Sequence, residues 1–384
     1  MKRLAIFSFF DKDGFVDRYV EILLRELREI SSFLVIAVNG KLDKDGKELF
    51  ERYADNIVIR KNIGHDGGAY ADVCINHIGE KKLSTYDEVI FTNDTFFGPF
   101  ISLQNIFAEM EVRNCDFWGL NIFRNGFWSF IESYFLVFRK KVIQNKDLII
   151  FCTYILNGLL RDPQYSYNAF ELGIYHDLTN KGYKAGYYTD TQNTSIYSDP
   201  DICIAKYGLP ILKKKSFSPD TYDEDKGLYA LNYVKNKFDY DIRPILKCVK
   251  RKYGINISED QVVNYDMCLC REKKYGDLYV PKTIVTDKEI LNFLDTGTEI
   301  YIYGAGLYAK IIWYLYERYI INFGGFVISD DRYNKEMEFC GYVVKKYSDV
   351  KEKAKIILGI TKKSSEEVIQ KIGENKNVLV LWKE

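Results

Sequence analysis

The sequence lacks the features that would place it at once in a membrane, nucleic-acid-binding or disulfide-rich class. It has no apolar run of about 18 residues, and the nearest stretch, residues 142–160, is interrupted by Lys146, Asp147 and Asn157, which favours a buried helix. Lys and Arg total 54 and balance 54 Asp and Glu, so no nucleic-acid partner is indicated. Eight cysteines lie without a CxxC pair and no signal peptide precedes Arg3, so we expect a cytoplasmic protein with reduced thiols.

The length and composition indicate a globular protein of two domains. The chain has 384 residues, of which 47% are hydrophobic and 28% charged, and single cores usually divide beyond about 250–300 residues. Mixed polar sequence without sustained periodicity separates two patterned regions. We therefore predict a first domain at residues 1–255, a linker at 256–284 and a second domain at 285–384.

Apolar runs alternate with helical patterns in the first region. Residues 3–10, 33–38 and 56–60 form short β-prone runs, and helical spacing follows the first of them. This alternation predicts a parallel sheet with crossover helices. Ligands bind such sheets at the carboxyl ends of the strands, so the loops that follow the strands, which include Asp11, are the expected binding elements.

The loop at residues 62–70 combines glycines with polar side chains directly after a strand. Glycine lets a backbone approach a ligand closely, and Asp66 can accept hydrogen bonds from a ribose, a sugar or a base. The alternative is a plain polar turn. We favour a ligand-binding loop, whose candidate residues are Asn62, Gly64, His65, Asp66 and Gly67.

Two further acidic positions have a chemical interpretation. The apolar strand after Tyr86 delivers Asn93 and Asp94 to its carboxyl end, where a divalent cation on a diphosphate would need oxygen ligands. Glu171 lies near the start of a helix and could act as a general base toward an acceptor hydroxyl. The alternative for Glu171 is a favourable interaction with the helix dipole.

Two basic clusters, residues 213–215 and 247–252, follow in a polar segment. A solvated face is the favoured interpretation, and contact with an anionic membrane surface is the alternative. For His176 we favour a structural role over metal or proton chemistry, because no partner motif accompanies it.

The second region contains a loop that fits the context of a dinucleotide fingerprint, between a strand and a helix. Its positions are Gly304, Gly306 and Ala309, with alanine in the third glycine position, and Asp330 and Asp331 follow the next strand. Nothing nearby resembles a hydride-transfer site. The loop therefore predicts the fold of this region more strongly than a bound cofactor.

Segments 62–70, 92–99 and 133–138 together resemble the rhamnan synthesis protein F family over about residues 1–255. The resemblance implies a glycosyltransferase of cell-wall or capsular polysaccharide assembly, commonly a rhamnosyltransferase, with a GT-A-like nucleotide-diphospho-sugar fold. It implies dTDP-rhamnose as donor, a saccharide or lipid-linked saccharide as acceptor, and a divalent cation, Mg²⁺ or Mn²⁺, held at Asp94 beside Asn93. Glu171 falls near the position of the base in inverting members.

The sequence thus predicts an α/β protein with a GT-A-like domain around a mostly parallel sheet and a smaller Rossmann-like α/β domain. The predicted activity is an inverting sugar transfer in the cytoplasm, with possible contact to the inner face of the cell membrane. The alternatives are an NAD(P)-dependent sugar-nucleotide oxidoreductase that uses residues 304–309 and a non-catalytic scaffold or regulatory module. The predicted donor-binding residues are Asp11, Asn62, Gly64, His65, Asp66, Gly67, Asn93 and Asp94.

Overall fold

The computed structural model describes residues 1–124, 129–162, 165–192, 194–263, 285–295, 297–350, 353–372 and 377–382. The predicted linker, residues 256–284, lies outside the described residues from 264 onward. The boundaries of the two predicted domains therefore stay a prediction.

The strands are short and follow the apolar runs of the sequence. In chain order they are β1 (Arg3–Phe9), β2 (Phe33–Asn39), β3 (Asn56–Arg60), β4 (Glu88–Asn93), β5 (Phe96–Phe97), β6 (Phe117–Phe123), β7 (Phe130–Ile131), β8 (Phe135–Arg139), β9 (Ala185–Asp190), β10 (Leu212–Lys213), β11 (Ile300–Tyr303), β12 (Phe323–Ile328), β13 (Glu338–Phe339), β14 (Tyr342–Val343), β15 (Lys345–Lys346), β16 (Lys355–Leu358) and β17 (Val378–Val380).

The helices lie between these strands. They are α1 (Tyr19–Ile30), α2 (Lys44–Glu51), α3 (His65–Asp72), α4 (Glu80–Leu83), α5 (Leu103–Glu111), α6 (Lys140–Gln144), α7 (Asp147–Arg161), α8 (Tyr165–Asn180), α9 (Pro200–Ala205), α10 (Glu224–Phe238), α11 (Arg243–Tyr253), α12 (Glu259–Val263), α13 (Asp287–Leu294), α14 (Leu307–Tyr316) and α15 (Lys362–Ile372). A π-helical segment, Val73–Ile78, follows α3 directly.

Two separate sheets organise the described residues. The larger has 8 strands in the order β3-β2-β1-β4-β8-β6-β7, with β9 also paired to β6. Strands β3, β2, β1 and β4 are parallel, as are β6 and β9, whereas β8 is antiparallel to both of its neighbours. The smaller sheet has 5 parallel strands in the order β15-β12-β11-β16-β17. The predicted fold class, a GT-A-like domain with a mostly parallel sheet and a smaller Rossmann-like sheet, is confirmed.

The core lies where helices cover both faces of the larger sheet. Leu4, Ile6 and Phe7 of β1 are fully buried, as expected for a central strand of a parallel sheet. Helix α1 covers one face with Leu23, Leu24 and other apolar residues at helical spacing. Polar residues stand at the carboxyl ends of the strands, among them Ser8, Asn39 and Asn93, and they are buried as well.

The segment 142–160, predicted as one buried helix, is instead two helices. Helix α6 ends at Gln144 and α7 begins at Asp147, because Lys146 adopts a left-handed backbone conformation with φ of 65°. Within the described part of the chain, no helix is long and apolar enough to cross a membrane.

The smaller sheet packs against the larger unit through helices. Helix α14 contacts α8, and Ile174 of α8 shares one apolar cluster with Ile312 and Trp313 of α14. The Arg318 guanidinium lies 2.7 Å from the Asp177 carboxylate across this contact. The C-terminal part therefore supports the helix that carries Glu171.

Candidate functional site

A cavity of about 420 Å³ opens at the carboxyl ends of the parallel strands in the larger sheet. Its volume is in the range of ordinary small-molecule sites. The predicted site residues that line it are Asn62, His65, Asp66, Gly67, Asn93, Asp94 and Glu171. Residues far apart in the chain thus meet at one place, as the parallel arrangement predicts.

A chain of hydrogen bonds joins the ends of β1, β2 and β4 at the floor of this cavity. The Ser8 hydroxyl donates to Asp66 Oδ1 at 2.7 Å, and Asn93 Nδ2 donates to Asp66 Oδ2 at 2.8 Å. Asn39 Nδ2 donates to Ser8 Oγ at 3.0 Å, and Asn39 Oδ1 accepts from Arg60. These bonds hold Asp66 in a defined orientation toward the cavity.

Asp66 is the acidic centre of this network. Burial raises its pKa to about 6, although the hydrogen bond from Ser8 opposes the shift and the neighbouring Asp94 charge adds to it. A carboxyl group in this state is a hydrogen-bond acceptor at neutral pH and gains a proton readily on mild acidification. It suits a hydroxyl-rich ligand such as a ribose or a sugar.

The glycines of the loop at residues 62–70 mainly permit packing within the chain. Gly64 has a φ of 75° at the N-terminus of α3, where a left-handed residue is needed. A Cβ at Gly67 would lie 2.6 Å from the Phe170 side chain, and one at Gly68 would lie 2.4 Å from the Ile63 carbonyl oxygen. Contacts within the chain thus account for the absence of a side chain at Gly67 and Gly68, and Gly67 also lines the cavity, where its role in donor binding stays a prediction.

Asp11, a predicted donor-binding residue, is engaged away from the cavity lining. Its Oδ1 accepts from the backbone N–H groups of Asp13 and Phe15, at 3.0 and 3.3 Å, and its Oδ2 accepts from Arg251 at 2.9 Å. Burial works against ionisation, but the hydrogen bonds from Arg251, Asp13 and Phe15, together with the Arg251 charge, lower the pKa of Asp11. In this structure Asp11 joins the β1–α1 loop to helix α11.

Asp94, the predicted metal ligand, is paired with a lysine. Lys214 Nζ lies 2.5 Å from Asp94 Oδ2, and both side chains are 7% exposed. Tyr19 donates its hydroxyl to the Asp94 carbonyl oxygen at 2.9 Å. Although burial opposes the charged ammonium, the Asp94 carboxylate holds the pKa of Lys214 well above its ordinary value.

Asp94 Oδ2 is an unfavourable position for a divalent cation. A Mg²⁺ or Mn²⁺ ion at Asp94 Oδ2 would meet the Lys214 ammonium at the same oxygen, and two cations in one place repel each other. Among the described residues, no three His, Cys, Asp or Glu side chains come together as a metal-binding group. The predicted role of Asp94 in holding a cation is therefore not supported by its surroundings.

Lys213 is a second buried cation in the cavity. It is 5% exposed, and its ammonium donates to Thr95 Oγ1 at 2.6 Å and lies 4.4 Å from the centre of the Tyr134 ring. Burial lowers the pKa of Lys213 to about 8, and the charge of Glu132 opposes that shift. The interpretation of residues 213–215 as a solvated or membrane-facing cluster is thus wrong for Lys213 and Lys214.

Tertiary pairing places these lysines inside the molecule. Leu212 and Lys213 form β10, which pairs antiparallel with Phe97 and Phe96 of β5, immediately after the end of β4. The only local signal is that the apolar residues Ile211 and Leu212 precede the lysines and Phe217 follows them. That pattern suggests burial of the segment, but it does not identify the lysines as cavity residues.

Two carboxylates, Glu132 in the turn between β7 and β8 and Glu171 on α8, lie on one side of the cavity region. Glu171 Oε1 accepts from the Ser133 backbone N–H at 3.3 Å and from its hydroxyl at 3.1 Å. Glu132 is buried and accepts from Asn121 at 2.9 Å. Burial raises the pKa of Glu132 to about 7, against the opposing hydrogen bond from Asn121. Only Glu171 of the two lines the cavity.

The glycine loop of the smaller sheet has a packed environment. A Cβ at Gly304 would lie 2.8 Å from the Gly359 carbonyl oxygen, whereas one at Gly306 would meet nothing within 4 Å. Ala309 packs against Gly359, where an added Cβ would approach the Ala309 Cα to 2.6 Å. Asp330 accepts from the Ser348 backbone N–H at 3.1 Å. Nucleotide binding by this loop stays a prediction.

His176 has structural surroundings, as the sequence suggested. It is 6% exposed, and its Nδ1 lies 3.6 Å from the carboxylate of Asp287 at the start of α13. The same carboxylate accepts from the Tyr316 hydroxyl. These groups link α8 to the C-terminal part and lie outside the lining of the cavity.

Comparison with known proteins supports the family resemblance. The family model described as rhamnan synthesis protein F matches residues 34–277, which is more than half of the chain. This match supports the predicted class of activity, transfer of a sugar from a nucleotide-activated donor. No curated protein matches the chain.

Several solved structures show weak likeness to the chain. The glycosyltransferase GlyE of Streptococcus pneumoniae has 11% identity and a TM-score of 0.33, covering 99% of this chain and 91% of that protein. A cytidylyltransferase of Leptospira borgpetersenii has 15% identity and a TM-score of 0.29, covering 49% and 76%. Core-mannan synthase A of Aspergillus fumigatus has 8% identity and a TM-score of 0.23, covering 45% and 73%.

Proposed function

Because the chain belongs to the rhamnan synthesis protein F family, we propose that it is a glycosyltransferase that uses a nucleotide-diphosphate sugar. The proposed donor is dTDP-rhamnose, and the proposed acceptor is a growing cell-surface saccharide or its lipid-linked precursor. The observation that carries this proposal is the cavity at the strand ends. It combines a hydroxyl-binding acid, buried cations and a separate carboxylate, namely Asp66, Lys213 with Lys214, and Glu171.

The donor is proposed to lie across the ends of β1 to β4. Asp66 accepts hydrogen bonds from ribose or sugar hydroxyls, with Asn62 and His65 on the same side of the cavity. Asn62 Oδ1 is buried and has no hydrogen-bond partner among the described residues, so a ligand hydroxyl there would satisfy it. Asn93 holds Asp66 and also accepts from Thr95, which links the sugar side of the site to Lys213.

Glu171 is proposed as the general base. It removes the proton from the acceptor hydroxyl while that oxygen forms a bond to the anomeric carbon of the donor sugar. The bond from this carbon to the diphosphate oxygen breaks in the same displacement, so the configuration at the carbon is inverted. Ser133 holds Glu171 Oε1, which orients the carboxylate toward the cavity.

The substitution Glu171→Gln tests this assignment. It keeps the size of the side chain and removes the base, so we expect kcat to fall by about 10²- to 10⁴-fold with little change in donor affinity. Transfer from radiolabelled dTDP-rhamnose to a saccharide acceptor measures kcat, and calorimetric titration measures the affinity. Exposed Glu111, changed to Gln, is the matched control. Full transfer by the Glu171→Gln protein would exclude Glu171 as the base.

A panel of nucleotide sugars tests the class of donor. A ligand that binds the native state raises the apparent midpoint of thermal unfolding by mass action, so dTDP-rhamnose should raise it more than UDP-, GDP- or CDP-linked sugars. A larger shift with another donor would replace rhamnose as the proposed sugar. If no member of the panel shifts the midpoint, the glycosyltransferase proposal fails.

Residues 285–384 are proposed as an accessory domain. Helix α14 packs on α8, the helix that carries Glu171, so this part supports the position of the base. Peripheral contact with an anionic membrane remains part of the proposal, through exposed lysines of α11 such as Lys247 and Lys250.

A further inference from the structure

Lys213 is a buried cation with no carboxylate of the described residues in ion-pair contact, although the more distant charges of Glu132, Glu171 and Asp66 also act on it. Among the described residues, no carboxylate oxygen lies within the 4 Å of an ion pair from its ammonium, whereas Lys214 beside it has Asp94 at 2.5 Å. An ammonium can donate three hydrogen bonds, and Thr95 accepts one of them. Since an unpaired buried charge is costly, its presence in a cavity indicates that the ligand supplies the anion.

Lys214, in contrast to Lys213, has an ion-pair partner. Its ammonium is bonded to Asp94 and, at 2.8 Å, to the Tyr19 hydroxyl, so it is fixed in position. It occupies Oδ2 of Asp94, the residue at which the sequence predicted a metal ion. A positive charge therefore stands at the expected metal position, supplied by the protein itself.

The rim of the cavity adds further positive charge. Lys215 and Lys252 line it from the 3-10 turn after β10 and from α11. Burial lowers the pKa of Lys252, and the neighbouring Lys214 charge adds to that shift. Lysines that repel one another on one side of a cavity are suited to a ligand that carries more than one negative charge.

Resting on the proposed function, we propose that Lys213 and Lys214 together replace a divalent cation on the diphosphate of the donor. Lys214 is held by Asp94, and Lys213 binds a phosphate oxygen directly. Fixed ammonium groups then stabilise the negative charge that develops on the departing nucleoside diphosphate. The transferase accordingly needs no metal ion to bind its donor.

Calorimetric titration with dTDP and with inorganic pyrophosphate tests this, each in excess EDTA and in Mn²⁺ without EDTA. We expect the Kd of each probe at pH 7 to differ by less than about twofold between the two conditions, because the ammonium groups of Lys213 and Lys214 belong to the chain and require no added metal ion. Loss of binding in EDTA with recovery in Mn²⁺ would overturn the proposal.

The variant Lys213→Met removes the free charge and retains most of the side chain. We expect the Kd of dTDP and of pyrophosphate to rise about 10- to 100-fold, the usual range for a lost charge-assisted hydrogen bond. The matched control is Lys247→Met, which removes an exposed lysine of α11 outside the cavity. An unchanged Kd for Lys213→Met would overturn the assignment of Lys213.

Thermal unfolding of the ligand-free variant separates binding from a structural role. Removal of a buried, unpaired charge relieves its desolvation cost, so the unfolding midpoint of Lys213→Met should equal or exceed that of the parent. A clear decrease would indicate a structural role and overturn the proposal.

The pyrophosphate titration also distinguishes this inference from the proposed function. If pyrophosphate binding depends on Lys213 and not on Mn²⁺, while no nucleotide sugar of the panel binds, the lysine site stands and the glycosyltransferase proposal falls. If nucleotide sugars bind only with Mn²⁺, the proposed function stands and the lysine site falls.

Discussion

The loop between β3 and α3 and the loop between β11 and α14 follow the same local pattern in very different surroundings. Both connect a parallel strand to a helix, and both contain glycines next to the helix N-terminus. The first borders the cavity with Asp66, and the second packs through Gly304 against the backbone of the next strand. The same local pattern thus borders a cavity in one sheet and packs against the chain in the other.

At the carboxyl ends of the strands in the larger sheet, neighbouring strands contribute polar side chains to the site. Ser8 and Asn93, from the two strands paired in its centre, both donate to Asp66. Phe96 and Phe97 then bring β10 and its lysines to the same place. The cavity at these strand ends remains open because the polar groups surround it and do not fill it.

At the carboxyl ends of the strands in the smaller sheet, the chain packs against the first glycine of the loop, Gly304, and leaves the space beside Gly306 open. Gly304 and Ala309 both abut Gly359, which follows β16. Trp382 donates its indole N–H to the Ile360 carbonyl oxygen at 2.8 Å and stacks edge-on against Tyr308. A glycine loop therefore predicts close backbone approach, and its neighbours decide whether a ligand or the protein itself makes that approach.

The largest expected effect on stability concerns the ion pair between Asp94 and Lys214 in the larger sheet. The change Asp94→Ala leaves Lys214 buried without its carboxylate, so the free energy of unfolding should fall by about 3–5 kcal/mol. Urea denaturation of the ligand-free protein measures it. The double variant Asp94→Leu with Lys214→Met should recover most of the loss, because it removes both charges. If Asp94→Ala had no effect on stability, the pair would not be structural and a role as a free ligand would return.

The next largest effect on stability concerns Gly304, in the glycine loop of the smaller sheet. Gly304 has a φ of 117°, and a Cβ there would lie 2.7 Å from Ile360 Cγ2, so Gly304→Ala should cost about 2–4 kcal/mol through backbone strain and overpacking. Gly306→Ala is the matched control, since nothing lies within 4 Å of its Cβ position, and it should change stability by less than about 0.5 kcal/mol. Equal effects at both positions would contradict the packed description of this loop.

The smallest effect is the dependence of stability on pH at Asp66. The folded-state pKa is about 6 against an ordinary value of 3.8, so the folded protein binds the proton more tightly and loses stability as the pH rises between these values. Asp66→Asn removes this loss and should stabilise by about 1–2 kcal/mol at pH 8, discounted because the cavity admits solvent. The gain should vanish toward pH 4.

Urea denaturation at pH 4, 6 and 8 measures this difference, with exposed Asp220→Asn as the matched control. A gain that is constant with pH would show that titration of Asp66 is not its cause. If Asp220→Asn raised the free energy of unfolding by the same amount, the effect would be due to net charge.

Local pattern was sufficient for much of the fold and part of the site. The run at residues 56–60 coincides with β3, and the run at residues 33–38 lies within β2. Asp66 and Asn93 could be expected to lie close together, because the carboxyl ends of parallel strands meet on one side of the sheet. The break between α6 and α7 was missed, since the left-handed conformation of Lys146 has no signal in hydrophobic periodicity.

The roles of the charged residues could not be predicted in the same way. Asp11 and Asp94 both follow apolar strands, yet Arg251 engages one and Lys214 the other, from positions more than a hundred residues later in the chain. A residue's charge is visible in the sequence, but the position of its partner depends on long-range pairing. For this reason the lysines of residues 213–215 were assigned to the surface.

The sequence by itself determined the alternation of strands and helices, the two sheets and the family to which the chain belongs, because periodicity and loop motifs are local. Only the tertiary structure decided that Asp94 holds a lysine, that Lys213 lies in the cavity without an ion-pair contact from the described part of the chain, and that the chain packs closely against Gly304. These outcomes depend on which groups approach one another within a few ångströms, and that proximity is set by the packing of segments distant in sequence.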